Sequence, residues 1–184
     1  YSERGLSYRK HNGLELSEKI GVGVVFQQMV TSEKSGVLFT CDPITQDTTK
    51  QTINSVYGVG EGLVSGLLDG DTFVVDKKTG EITQEELANK TSKVVRKANG
   101  DGIEEVPVDT PLQDVSSLSS DELTKLRTLG NKVEDFYRFP QDIEWGFEDG
   151  ELYLLQSRPV TSDLKSSEGN LHIWDNSNII ESYG

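Results

Sequence analysis

Three side chains near the end of the sequence have the types and spacing to hold a phosphate: Glu144, Gln156 and Arg158. Ile143, Trp145 and Phe147 alternate with Asp142, Glu144 and Gly146. After Glu148-Asp149-Gly150, Tyr153, Leu155 and Ser157 alternate with Leu154, Gln156 and Arg158. A strand face carrying Glu, Gln and Arg suits a site where a carboxylate and an amide oxygen bind Mg²⁺ and a guanidinium clamps phosphate. The solvated face of a two-stranded ribbon fits the same alternation equally well. Register separates the options further. A two-residue Asp149-Gly150 turn pairs Phe147 with Leu152 and turns Glu144 away from Gln156. A three-residue loop, with Gly150 as a left-handed bulge, pairs Phe147 with Glu151. Glu144, Leu154, Gln156 and Arg158 then share one face, and Ile143, Trp145, Tyr153 and Leu155 the other. This second register divides polar from apolar better and is the one expected.

Two further stretches carry possible chemistry. Tyr57-Gly58-Val59-Gly60-Glu61-Gly62 follows a predicted strand, and glycines let backbone amides approach an anion. It is neither a dinucleotide fingerprint, because Leu63 stands where the third glycine would fall, nor a P-loop, because no Gly-Lys-Ser/Thr follows. A plain loop fits it at least as well. Gln27-Gln28-Met29-Val30 ends an apolar run. Backbone groups at such a strand end can read the edge of a base, with Met29 packing on its face; core Met and Val beside surface Gln is the simpler account of the pattern alone. His11 and His172 stand in polar stretches with no second His, Ser or Cys nearby, and read as surface histidines. Cys41 reads as a buried thiol.

The elements that must position these residues follow from periodicity. Residues 22–30 read as a buried strand and residues 31–36 as a polar turn. Further strands are predicted over 37–41, 52–57, 72–76 and 90–97, with a hairpin turn at Lys77-Lys78-Thr79-Gly80. Residues 99–114 read as loop with short strand pieces. A helix is predicted from Ser120 to Tyr137: Ser119 caps it, Glu122 completes a capping box, and Leu118 and Leu123 are placed for a hydrophobic staple. Leu123, Leu126, Leu129, Val133, Phe136 and Tyr137 keep helical spacing, and Pro140 closes the segment. The terminal hairpin follows. Residues 161–170 read as a Ser-rich linker, and residues 171–184 as the start of a neighbouring domain.

Composition narrows the class. The 184 residues are 34% apolar and 27% charged, with a net charge of -13. Such a surface repels phosphate backbones and anionic membranes, so neither nucleic acid nor membrane is an expected partner. No apolar run approaches the ~20 residues of a membrane span. The lone cysteine excludes an internal disulfide framework and fits a reducing, cytoplasmic compartment. The sequence begins at Tyr1 and holds one methionine, Met29, which suggests a processed or excised piece.

Taken together, the motifs resemble a known family. Met29-Val30, Ser35-Gly36-Val37-Leu38-Phe39-Thr40-Cys41-Asp42-Pro43, Tyr57-Gly58-Val59-Gly60-Glu61, Asp142-Ile143-Glu144-Trp145 and Leu155-Gln156-Ser157-Arg158-Pro159 occur in this order. The set is similar to the ATP-binding domain shared by phosphoenolpyruvate synthase, pyruvate phosphate dikinase and rifampin phosphotransferase. The resemblance implies an α+β ATP-grasp fold. Residues 1–160 would form the C-terminal subdomain, a mainly antiparallel sheet with flanking helices. ATP and Mg²⁺ are the implied cofactors. By position, Glu144 and Gln156 resemble the family's metal ligands and Arg158 its phosphate-binding, catalytic arginine. Gln27, Gln28, Met29 and Val30 resemble the adenine hinge, and Glu61 a nucleotide-contacting acid. The family's N-terminal ATP-grasp subdomain, which carries phosphate-holding Lys and Arg, and its phospho-accepting His domain are partners the resemblance implies outside this sequence. Neither His11 nor His172 stands in that domain's Thr-Ser-His context. Residues 174–181 are similar to the middle region of rifampin phosphotransferase-like proteins. The implied activity is phosphoryl transfer from ATP, through the His domain, to pyruvate or another small acceptor. The alternative is a stand-alone acidic β-rich binding module.

Overall fold

The computed structural model describes residues 24–160, and Ser7 and Lys10 besides. The readings made for His11 and His172, for residues 22 and 23 and for the tail after residue 160 lie outside the described residues. The described chain is α+β. β1 (Lys34–Phe39), β2 (Lys50–Tyr57), a single-turn α1 (Glu61–Val64), β3 (Asp71–Asp76) and β4 (Ile82–Glu86) come first. A ribbon of β5 (Ser92–Arg96) and β6 (Ile103–Pro107) follows, then α2 (Ser120–Tyr137), β7 (Gln141–Glu148) and β8 (Glu151–Pro159). Six strands form one antiparallel sheet in the order β4-β3-β2-β1-β7-β8. The meander thus grows away from β1 in one direction, and the chain returns after α2 to lay β7 on β1's other side.

The two faces of the sheet differ. Leu38, Ile53, Phe73, Ile143, Trp145 and Phe147 point to one face and join Leu123, Leu126 and Val133 of α2 in the core. Full burial of side chains this large contributes about 1.5–3 kcal/mol each. The helix forms where the sequence predicts. Ser119 Oγ accepts from the Glu122 amide, and Glu122 Oε2 accepts from the Ser119 amide at 2.7 Å. Arg138, in the left-handed conformation (φ 66°), ends it. Phe136 and Tyr137 keep the helical spacing but are exposed.

Close backbone packing fixes β1. A Cβ on Gly36 would overlap the Asn54 carbonyl oxygen and come within 2.8 Å of Trp145. β1 therefore starts at Lys34, and the polar Lys34-Ser35 pair that reads as turn is in the ladder, opposite Tyr57 and Val56 on one side and Phe147 and Gly146 on the other.

Two other expectations are corrected. The described part of the predicted first strand, residues 24–30, is irregular, with Val24, Val25 and Phe26 exposed. This run joins no ladder and is held to the hairpin through the Gln27 side chain, which donates to the Leu155 carbonyl. β4, which carries no apolar alternation, is a fully exposed edge strand held by β3 alone. β6 falls inside the stretch read as loop with strand pieces.

The ribbon is tied down through a buried ion pair. Lys90 Nζ lies 2.6 Å from Asp71 Oδ1, with both side chains almost fully enclosed. Asp71 also accepts from the amides of Ala88 (2.9 Å) and Ser117 (2.7 Å). Burying two charges is costly unless such bonds satisfy them.

Candidate functional site

The hairpin β7–β8 turns through Asp149 (φ 52°) and Gly150 (φ 76°), the two consecutive positive φ angles of a type I′ turn. Phe147 pairs with Leu152, and Glu148 with Glu151. The three-residue loop expected from the sequence is therefore wrong. Leu154 pairs with Trp145 and Tyr153 with Gly146, so their faces are the reverse of those expected. The ladder then slips by one residue. Trp145 pairs with Leu154 but Glu144 with Gln156, which leaves Leu155 as a bulge. Beyond it, Asp142 pairs with Arg158. The bulge returns Gln156 and Arg158 to the face of Glu144 and Asp142. Gln156 is exposed, while Trp145 is buried on the opposite face.

Asp142, which the sequence reading left without a role, is central here. Its Oδ2 accepts from Arg158 Nε at 2.8 Å. Burial pushes its carboxyl above the usual aspartate range, and the hydrogen bond and charge of Arg158 pull the other way without fully offsetting it. One of the guanidinium's five donors is thus spent on fixing its orientation. The signal was present in the sequence: Asp142 stands two residues before Glu144 on the same strand face. Ser157, on the opposite face, donates to Gln141 Oε1 at 2.9 Å and ties the ends of the two strands together.

Residues 24–33 run past the same hairpin. The Glu33 amide donates to the Phe147 carbonyl at 2.8 Å, and the Thr31 amide to Glu148 Oε1 at 3.1 Å. A Cβ on Gly146 would collide with Ser32 Oγ, so the glycine provides room for this crossing. Gln27 Nε2 donates to the Leu155 carbonyl at 3.2 Å. Gln27, Gln28 and Met29 are exposed and Val30 is half-buried. The structure thus brings Gln27 to the bulge that precedes Gln156.

The glycine cluster lies at the Ser35 end of the sheet. Ser35 Oγ donates to the Gly58 carbonyl at 2.6 Å. Gly58 (φ 81°) packs so closely on Val94 that no Cβ fits. Its amide donates to the Glu33 carbonyl and the Val59 amide to the Val94 carbonyl, at 2.7 and 2.8 Å. Those two amides serve the fold, so the cluster is a structural joint at these positions rather than an anion cradle. Glu61 is exposed at the start of α1.

The donor chemistry fits a divalent cation shared with a ligand. Glu144 and Gln156 offer oxygens from directly paired positions. Among the described residues, no group of three or more His, Cys, Asp and Glu side chains could hold an ion without help. Mg²⁺ keeps several water or phosphate ligands and needs only one or two from protein. No helix among the described residues is long and apolar enough to cross a membrane.

Comparison with known proteins gives the family. The family model described as pyruvate phosphate dikinase, AMP/ATP-binding domain, matches residues 1–176. A probable phosphoenolpyruvate synthase of Methanocaldococcus jannaschii is 37% identical over 169 residues, covering 91% of this chain and 14% of the relative. The corresponding protein of Archaeoglobus fulgidus is 39% identical over 170 residues, covering 91% and 22%. A rifampicin phosphotransferase of a Streptomyces species is 36% identical over 162 residues, covering 88% and 18%. The chain therefore spans less than a quarter of the length of each of these relatives. With a model matched across nearly its whole length, the chain belongs to the AMP/ATP-binding domain family of pyruvate phosphate dikinase.

Proposed function

We propose that this chain is the ATP-holding part of a phosphotransferase that delivers a phosphoryl group to pyruvate or another small acceptor through a His domain elsewhere in the parent polypeptide. The observation that carries the reading is the bulged hairpin, which gathers Glu144, Gln156, Asp142 and Arg158 on the face opposite the α2 core. In this reading residues 1–160 form the C-terminal part of an ATP-grasp domain, and residues 161–184 lead into the next. The relatives' names motivate the choice of acceptors.

Each residue then has a definable task. Residues 27–30 hold the base, the backbone reading its edge and Met29 covering its face. Glu144 and Gln156 would hold Mg²⁺, which when bound would neutralise phosphate charge during transfer. Arg158, oriented by Asp142, donates to the transferring phosphoryl group. That stabilises charge as it spreads over the phosphoryl oxygens. Glu61 contacts the nucleotide.

The test is Glu144→Gln in the full-length polypeptide, followed by ATP consumption against Mg²⁺ concentration. The charge loss is expected to lower turnover by about a hundredfold or more and to raise the Mg²⁺ needed for half-maximal rate, with an unchanged thermal melt. Near-normal turnover and Mg²⁺ dependence would remove Glu144 from the site.

A further inference from the structure

The side-chain amide of Gln27 is engaged on the hairpin. Nε2 reaches the Leu155 carbonyl at 3.2 Å, across 128 residues of sequence. That carbonyl is half of the peptide plane joining Leu155 to Gln156, so holding its oxygen restrains the backbone from which the Gln156 side chain departs. The plane needs restraint. Leu155 is the bulge residue, left without a partner in β7, and β8 is the edge strand of the sheet among the described residues. Residues 31–33 are separately fastened to β7 through Thr31–Glu148 and Glu33–Phe147. Gln27 is thus the link from the start of this segment to β8, and it meets β8 at the one irregular position next to a candidate metal ligand.

We propose that Gln27 is a positioning residue for the metal: it sets the Leu155–Gln156 peptide so that the Gln156 amide oxygen faces Glu144, and thereby couples the base-holding segment to the phosphate end. This rests on the phosphotransferase reading and assigns Gln27 a different part in it, acting through Gln156 rather than reading adenine with its side chain.

Gln27→Met keeps the length and removes the donor; Gln27→Glu keeps the shape and replaces the donor with an acceptor. Gln27 is exposed, so both variants are expected to melt with the wild type. Each is made in the full-length polypeptide and titrated with Mn²⁺ in the presence of a non-hydrolysable ATP analogue, free Mn²⁺ being read by electron paramagnetic resonance. The expected result is Mn²⁺ affinity weakened about fivefold, with metal-free affinity for the analogue altered by less than about twofold. Hydrogen exchange at the Gln156 amide should quicken in both variants, and kcat should fall while KM for ATP holds. Unchanged Mn²⁺ affinity with weakened nucleotide binding would overturn the inference and return Gln27 to the base. Unchanged values for both would show the hydrogen bond to be idle. A wild-type polypeptide that takes up no Mn²⁺ with the analogue would overturn the phosphotransferase reading, and this inference with it.

Discussion

In the proposed reading, the Arg158–Asp142 pair makes one residue answer for both chemistry and stability. Arg158→Ala removes a preorganised donor, worth on the order of 3 kcal/mol in a transition state, or roughly a hundredfold in rate. Its side chain is 36% exposed, so truncation opens no core cavity, but it strands a carboxylate that is only 10% exposed. A charge-assisted hydrogen bond of this kind contributes about 1–2 kcal/mol once solvent screening is allowed for. The pH dependence has a definite sign. Asp142 already holds its proton more tightly in the folded state than an ordinary aspartate, so it subtracts stability as pH rises through that raised value. Without Arg158 the opposing pull disappears and the subtraction grows. The stability gap between Arg158→Ala and wild type should therefore be wide at about pH 7 and narrow by about pH 4, as read from urea unfolding at each pH. A gap independent of pH would separate Asp142 from the effect. Arg158→Lys should restore most of the stability but little of the rate, because an ammonium keeps the charge and loses the planar fork.

At the scale of elements, β1 is held by contact too close for any other residue. Gly36→Ala must push the Cβ into the Asn54 carbonyl, and the only relief is to part β1 from β2. Overpacking of this sort costs about 1–3 kcal/mol, and more where backbone rather than side chain is struck. A melting temperature equal to that of the wild type would refute the close packing. The same elements show what could be read from the sequence and what could not. α2 was legible to the residue, because its capping box and its Leu123, Leu126, Val133 stripe are local signals. β4 was not, since an exposed edge strand has no apolar alternation to betray it. The run at residues 24–26 gave the opposite error: apolar character forecasts burial but does not say which surface supplies it. In the hairpin, the Asp149-Gly150 turn signal was outweighed by the polarity argument, which demanded that Glu144 and Gln156 share a face. Both signals are right, and the bulge at Leu155 reconciles them. The extra residue in this edge strand meets Gln27, distant in sequence, and no local pattern announces it. Asp142 was overlooked because its significance lies in a cross-strand partner.

Across the whole molecule, the sheet, the ribbon and the loop before α2 meet at Lys90 and Asp71. Lys90→Met should cost about 3–5 kcal/mol in urea unfolding, because it leaves the Asp71 carboxylate buried without its partner, and adding Asp71→Asn should recover part of that loss. Lys90→Met unfolding within about 1 kcal/mol of wild type would show that water reaches the pair. The 184-residue chain by itself is expected to move no labelled phosphoryl group from ATP to pyruvate or a rifamycin, since in the proposed reading part of the phosphate-binding machinery and the accepting His belong to the rest of the polypeptide; labelled product from the piece alone would overturn that division. The pairing of β1 with β7 also bears on how the chain is born. The β1–β4 meander is complete long before its flank is closed: Thr40 waits for Gln141, 101 residues later, to bond its hydroxyl oxygen. At synthesis speeds of about 5–20 residues per second, β1 leaves the ribosome with one row of amides and carbonyls unclaimed for roughly 5–20 seconds. During that interval it can pair with the same strand on a neighbouring nascent chain. Crowded polysomes, rather than the finished protein, are where this sheet is most exposed to mispairing.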